Sequence, residues 1–452
     1  MDEVSNSLSR NESGLSRRSF LRTGGISLGG LALPLLLNSQ ALGASAIRGK
    51  SEKAVILLWM TGGPSHIDTY DMKPDTVAEV RGPFYPIETN LPGLQVCDLM
   101  PRHAKIADKL TVIRSFHHSY GVHDDAQHLV QTGYPQLNAR QNGQRHPCQG
   151  SVASLLRGAV EPQLPPYVCI PEDYRSHLGF YQSASFLSAR HHALNSGGAP
   201  GLGNYQPPEF MLPADISRVR FQDRRALFRS LDSLQRLADA NDSIHDTSDV
   251  HSEALNLISG SKAREAFDFS REPEQLKERY GRHAWGQYAL LARRLVEAGV
   301  TFVTVNLYEK DVDWWDDHYD IEKKLRARLP IYDQMLSTLI EDLHDRGMSN
   351  RVLVVACGEF GRAPRIDSNA GRGHWPRVMH AVLSGGGIRS GQIIGATTPD
   401  GGDVDDRPFT PGDLLASIYK VIGIDPHSTI TDRQNRPIRI VEQGEPIREL
   451  FV

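Results

Sequence analysis

The feature that most constrains this chain is a helix-then-strand unit that occurs twice. "GQYALLARRLVEAG", residues 286–299, places Leu291, Leu295 and Ala298 on one helical face before Gly299, and the strand-like "VTFVTVNL" follows. "IYDQMLSTLIEDLHDRG", residues 331–347, repeats the pattern with Ile331, Met335, Leu339 and Leu343, stops at Gly347, and leads into "RVLVVAC". Apolar runs of strand length between amphipathic helices predict a mostly parallel sheet covered by helices. "AVILLWM", residues 54–60, reads as a further buried strand running into Thr61, Gly62 and Gly63, where the backbone turns or is closely approached. "TPGDLLASIYKVIG" predicts a helix with Thr410 as N-cap, Pro411 in its first turn, Asp413 beside the cap, and Leu414, Ile418 and Ile422 facing the core.

With 39% hydrophobic and 23% charged residues over 452 positions, the chain can bury a large core. Its 50 basic residues are offset by 54 acidic ones, which argues against a nucleic-acid partner. The cysteines, at 97, 148, 169 and 357, lack zinc-cluster spacing. Their even number permits disulfides, while Cys357 at a strand end reads as a small core residue.

Near the N-terminus, "SRRSFL" precedes the apolar "ISLGGLALPLLL" and the small residues "ASA" at 44–46. This predicts a twin-arginine signal over residues 1–46, cleaved near Ala46, and hence the export machinery as a partner and a periplasmic or otherwise exported location. Gly29, Gly30 and Pro34 break the apolar run, which falls short of the roughly 20 residues a spanning helix needs, so no stable membrane span is expected after cleavage. The rest, 47–452, reads as one α/β domain. Within it, the Gly- and Pro-rich "SGGAPGLGNYQPP" and the amphipathic "DRRALFRSLDSLQRL" suggest a helical insertion or cap around 180–280.

Four polar clusters follow strand-like runs or lie in their loops, the place where open α/β sheets bind ligands. They are "TGGPSHIDTYD", with His66 and Asp68; "HHSYGVHDDAQHLVQTG", with His123; "DWWDDHYD", with Asp316 and His318; and "GEFGRAP" with "GRGHWP", carrying Glu359, Arg362, Arg372 and His374. Carboxylates and imidazoles suit a divalent ion such as zinc, calcium, magnesium or manganese, and arginines suit an anionic ester. No G-x-S-x-G elbow supports a serine nucleophile.

Together "GGPSHIDTYDMKP", "WWDDHYD", "GEFGRAPRID", "GRGHWP", "AVLSGGGIRSGQIIGAT" and "RPFTPGDLLASIYKVIGID" resemble an export-signal-bearing family abundant in planctomycetes. That family looks like a branch of the alkaline phosphatase and sulfatase superfamily. The resemblance implies an alkaline-phosphatase-like α/β/α sandwich and metal-dependent hydrolysis of phosphate or sulfate esters. It places Asp316, His318 and His374 at one metal position. Glu359 falls where the superfamily has a metal-binding Asp, and Phe360 replaces the histidine that accompanies it. His123 falls in the sulfatase nucleophile slot, and the metal Asp of the first strand is absent, leaving Asp68 or His66 as substitutes.

The leading expectation is therefore a metal-dependent hydrolase of a sulfate or phosphate ester, acting on an anionic small molecule or polysaccharide. In it Asp316, His318 and His374 hold one ion, Glu359, Asp68 and His66 complete that site or a second, water attacks, His123 serves as acid or base, and Arg362 and Arg372 neutralise charge. The alternatives are a non-catalytic anion- or glycan-binding protein on the same fold and a structural protein of the cell envelope.

Overall fold

The computed structural model describes residues 51–172, 181–201, 205, 207–208, 261–308 and 314–452. The signal segment, and most of the region expected as an insertion, lie outside the described residues. Eight strands form the main sheet: β1 (Ala54–Trp59), β2 (Thr111–Phe116), β3 (Tyr167–Ile170), β4 (Leu194–Asn195), β5 (Phe302–Asn306), β6 (Val352–Cys357), β9 (Met379–Gly385) and β10 (Gln392–Ile394). A separate ribbon pairs β7 (Gly361–Arg362) with β8 (His374–Trp375). The order in the sheet is β10-β2-β9-β6-β1-β5-β3-β4, and every neighbouring pair is parallel except the two made by β9.

Alternate residues of β1 enter two separate cores, as the period of two in a strand requires. Ala54, Ile56 and Leu58 pack with helices α4 (Ala284–Ala298) and α5 (Ile321–Asp345) and with the shorter α1 (Pro101–Ile106). Val55, Leu57 and Trp59 pack with α2 (His123–Thr132), α3 (Gln149–Arg157) and α6 (Pro411–Val421). Helices thus cover both faces, and the fold is the mostly parallel, helix-covered sheet expected from the alternating pattern, arranged as the α/β/α sandwich that the resemblance implied. Among the described residues no helix is long and apolar enough to cross a membrane.

The local signals operate as the sequence suggests. Gly299 caps α4 with φ +119°, and α6 begins with a reciprocal capping box between Thr410 and Asp413. One boundary differs: α5 starts at Ile321 and runs through Pro330, ten residues before the expected start. Pro330 is exposed, so the missing backbone donor faces solvent, while buried Leu325, Leu329, Tyr332 and Met335 hold the helix on either side. All four cysteines are free and buried, and burial pushes the Cys357 thiol up to about 12, as befits a core residue.

Register places the chemistry. Trp59 pairs with Asn306 on one side and with Cys357 on the other, so β1, β5 and β6 end level. β2 runs in the same direction, being antiparallel to the antiparallel β9. The segments that follow these four strands therefore emerge along one carboxyl edge.

Candidate metal centre

His123, Asp316, His318 and His374 converge on that edge, each offering a ligand atom within 4.8 Å of all the others. His123 opens α2 beyond β2, Asp316 and His318 lie in the segment beyond β5, and His374 begins β8. Asp316 Oδ1 is 3.0 Å from His318 Nε2 and 3.2 Å from His374 Nε2, and Oδ2 is 3.3 Å from His123 Nε2. The Nε2 atoms of His318 and His374 face each other at 2.8 Å.

The hydrogen bonds behind these rings select the tautomers. His374 Nδ1 lies 2.8 Å from the carbonyl of Gly121, which can only accept, so Nδ1 carries the proton and Nε2 keeps its lone pair in the neutral ring. His123 Nδ1 lies 2.7 Å from Glu359 Oε1, an acceptor as well. This leaves His123 Nε2 buried, turned toward Asp316 but not aligned for a hydrogen bond. A carboxylate or carbonyl on the far nitrogen of a histidine is the arrangement that orients a metal ligand. The cluster is positioned to coordinate a divalent metal ion, and the orphaned Nε2 atom fits that use.

Glu359 itself is fully buried and accepts from the backbone N–H of Gly62 at 2.9 Å and from Gln127 Nε2 at 3.1 Å, besides His123. It orients a candidate ligand and does not itself join the group. Its backbone carbonyl receives His118 Nε2 at 2.7 Å. Burial lowers the pKa of His118 to about 4, so that ring acts as a neutral brace.

Electrostatics concentrates on Asp316. Burial works against its charge, but the adjoining rings of His123 and His374 and the nearby Arg362 guanidinium outweigh this and hold the carboxyl far below the usual range. Burial likewise opposes the His123 cation, and the carboxylates of Asp316 and Glu359 overcome it, pushing its pKa up to about 9. His318 is lowered by burial and by Arg362 and the other two rings, against the pull of Asp316. With no ion, the carboxylate gathers a proton on His123; with an ion, the same place takes the metal's charge.

The segment bearing Asp316 and His318 is clamped from several directions. A Cβ on Gly62, whose φ is +109°, would lie 2.5 Å from the Asp316 nitrogen, and one on Gly371 would lie 2.1 Å from the His318 carbonyl carbon. Asp317, between the two ligands, receives a bidentate pair of hydrogen bonds from Arg328 of α5 at 2.9 and 3.0 Å, and both side chains are fully buried. The ring of Phe360, in the place of the histidine the resemblance calls for, lies 5.0 Å from His123 and 4.6 Å from His374, walling the centre with an apolar face.

Other expected site residues lie apart from the four. Asp68 is fully buried in an ion pair with Arg372, through Nε to Oδ2 at 2.7 Å and Nη2 to Oδ1 at 3.1 Å. The same guanidinium also donates to the carbonyls of Ala363, Pro364 and Val80. Both groups are used up within the protein. His66, also fully buried, places Nε2 2.9 Å from the Gly401 carbonyl, and burial lowers its pKa. Arg362 touches the centre through Asp316 Oδ1, the oxygen that also faces His318 and His374. Gln127 and His118 carry no sequence signal for their bracing role beyond belonging to the histidine-rich second cluster.

An α/β/α sandwich with a His- and Asp-lined centre at the carboxyl edge of its sheet is the class that fold and site define. Residues 52–451 match the model of the family described as "Protein of unknown function (DUF1501)", and the chain belongs to that family. Among curated proteins none matches the chain. Similar solved structures include the PsFucS1 sulfatase from Pseudoalteromonas sp., at 11% identity and a TM-score of 0.36, over 85% of this chain and 70% of that one. An alkaline phosphatase from the Antarctic bacterium TAB5 is similar at 13% identity and a TM-score of 0.35, over 82% of this chain and 99% of that one. The phosphonate monoester hydrolase of Agrobacterium radiobacter is similar at 10% identity and a TM-score of 0.33, over 87% and 78%. Likenesses this low carry no weight in assigning an activity.

Proposed function

We propose that the protein is a metal-dependent hydrolase of a sulfate or phosphate ester, working outside the cytoplasm after twin-arginine export, on an anionic small molecule or polysaccharide. The observation that carries this reading is the convergence of His123, Asp316, His318 and His374 at the carboxyl edge, with Glu359 and the Gly121 carbonyl fixing two of the rings. Three imidazoles and one carboxylate suit zinc better than calcium or magnesium, which prefer all-oxygen shells. When bound, the ion polarises the ester and lowers the pKa of water.

The protein's own groups do the rest. Glu359 holds His123, Arg362 holds Asp316, and Phe360 keeps one wall apolar, so that charges within the centre are weakly screened. The His318 side chain is 43% exposed, against 14–23% for the other three, so substrate approaches from its side. In this reading the attacking group is water, since His123 stands in the nucleophile position that the resemblance implies and offers neither hydroxyl nor thiol. In this reading Arg372, paired with Asp68, braces the fold, and charge neutralisation falls to the ion.

A metal-stabilised binding protein on the same fold is favoured by one observation: four protein ligands are the number that closes a structural zinc site. The two readings separate in one experiment. Purified protein is loaded with zinc, then assayed on generic sulfate and phosphate esters and on a panel of sulfated polysaccharides, before and after chelation. Hydrolysis that chelation stops and zinc restores supports the enzyme. Tight metal retention with no turnover on any of them supports the binding protein, and no metal uptake removes both.

A further inference from the structure

The Arg362 side chain is fully buried and surrounded by oxygen. Its Nε donates to the Gly63 carbonyl at 2.8 Å, Nη1 to the Arg372 carbonyl at 3.1 Å, and Nη2 to the Trp315 carbonyl at 3.1 Å, to the Gly62 carbonyl and to Asp316 Oδ1. Four of these five acceptors are uncharged backbone carbonyls. Asp316 is the one carboxylate, among the described residues, with which this guanidinium forms an ion pair. A permanent cation has thus been placed in a cage of carbonyl and carboxylate oxygens, the ligand types that hard metal ions take, and it shares a carboxylate with the metal cluster.

The charge balance points the same way. Asp316 and Glu359 supply two negative charges beside the three imidazoles, and Arg362 removes one of them. A single divalent ion turns the remaining negative charge into one positive. A second divalent ion would leave three positive charges in a half-buried centre, where uncompensated charge is costly.

We propose that Arg362 is the resident second cation of this centre, so that the centre takes one metal ion and not two. Arg362 is a positioning residue: it holds Asp316 Oδ1 and fills the oxygen cage formed by Gly62, Gly63 and Trp315. The proposal rests on the metal-centre reading above, and it adds the number of ions and what fixes that number.

The test is metal stoichiometry on the full chain, by calorimetric titration and elemental analysis, with zinc alone and with zinc plus excess magnesium. One ion per chain is expected for the wild type in both media and for Arg362→Lys, which keeps the charge. For Arg362→Ala, folded by circular dichroism, a second ion is expected, and millimolar guanidinium should displace it by refilling the cage. A wild type that takes two ions overturns the proposal and leaves the metal centre standing. A wild type that takes none overturns both. A folded Arg362→Ala that still takes one ion, indifferent to guanidinium, reduces Arg362 to a brace and overturns the proposal. Should Arg362→Ala fail to fold, Arg362→Gln, neutral and closer in size, takes its place: a second ion is expected in it, and a single ion overturns the proposal.

Discussion

Glu359 Oε1 lies 2.7 Å from His123 Nδ1, although the two residues are 236 positions apart and lie in segments that follow different strands. The contact fixes the ring so that Nε2 faces Asp316, where it holds a proton without an ion and offers its lone pair to one. Glu359→Gln retains the shape and loses the charge, and its amide can turn a donor toward Nδ1. Zinc affinity is expected to fall about 10–100-fold, the usual cost of losing such an orienting partner. Competition against a chromophoric chelator measures it, and unchanged affinity would show that Glu359 does not orient a ligand.

Removal of the metal should loosen the carboxyl edge more than the body of the fold. The four ligands come from three separate segments: the start of α2, the residues following β5, and β8. An ion that binds only the folded chain stabilises it by about 4 kcal/mol when free ion is a thousandfold above its dissociation constant. Chelation is therefore expected to lower the thermal midpoint and to speed amide exchange around residues 314–320 and 371–375. A midpoint indifferent to zinc would mean that no ion bridges these segments.

Arg328 and Asp317 test how much of the centre depends on its support. Their bidentate pair is fully buried, and the guanidinium also lies 4.9 Å from the centre of the Trp315 ring. Arg328→Met leaves Asp317 charged and alone in the interior, at an expected cost of about 3–5 kcal/mol. The double variant Arg328→Met, Asp317→Leu should recover part of that stability in urea titrations. It should not recover zinc affinity, because Asp316 and His318 lose their anchor. Full recovery of both would assign the pair to stability alone.

How far the sequence led can be judged from particular residues. The layers were legible because short buried strands and amphipathic helices carry different periods, and Thr410, Asp413 and Gly299 act locally, through their own backbone neighbours. Asp316, His318 and His374 stood out as polar residues in strand-following segments. What could not be read was pairing at a distance. Asp68 and Glu359 are both acids near the end of a strand; only the fold puts Arg372 against the first and His123 against the second. For the same reason His123 changes from an expected acid or base to a candidate ligand, because the level ends of β1, β5 and β6 set which segments meet. The start of α5 was not legible either, since the helix runs through Pro330 on the packing of buried residues on either side of it.

The buried histidines set the acid limit of the fold, and His380 is the clearest case. It is 1% exposed, neither ring nitrogen has a hydrogen-bond partner, and Tyr70 packs on it at 5.2 Å. Burial, aided by His66 and Arg114 and opposed by Asp71, lowers its pKa to about 3. The unfolded chain takes up this proton near the ordinary value of about 6.5, whereas the folded chain refuses it until about 3. The stabilisation is therefore complete above pH 6.5 and is lost progressively as the pH falls toward 3. Between pH 7 and 5 this one residue should cost on the order of 1–2 kcal/mol of stability. Urea midpoints of the chelated protein, measured over that range, are expected to fall more steeply for the wild type than for His380→Gln, which cannot take the proton. Parallel curves would show that His380 is protonated as readily in the folded chain as in the unfolded one.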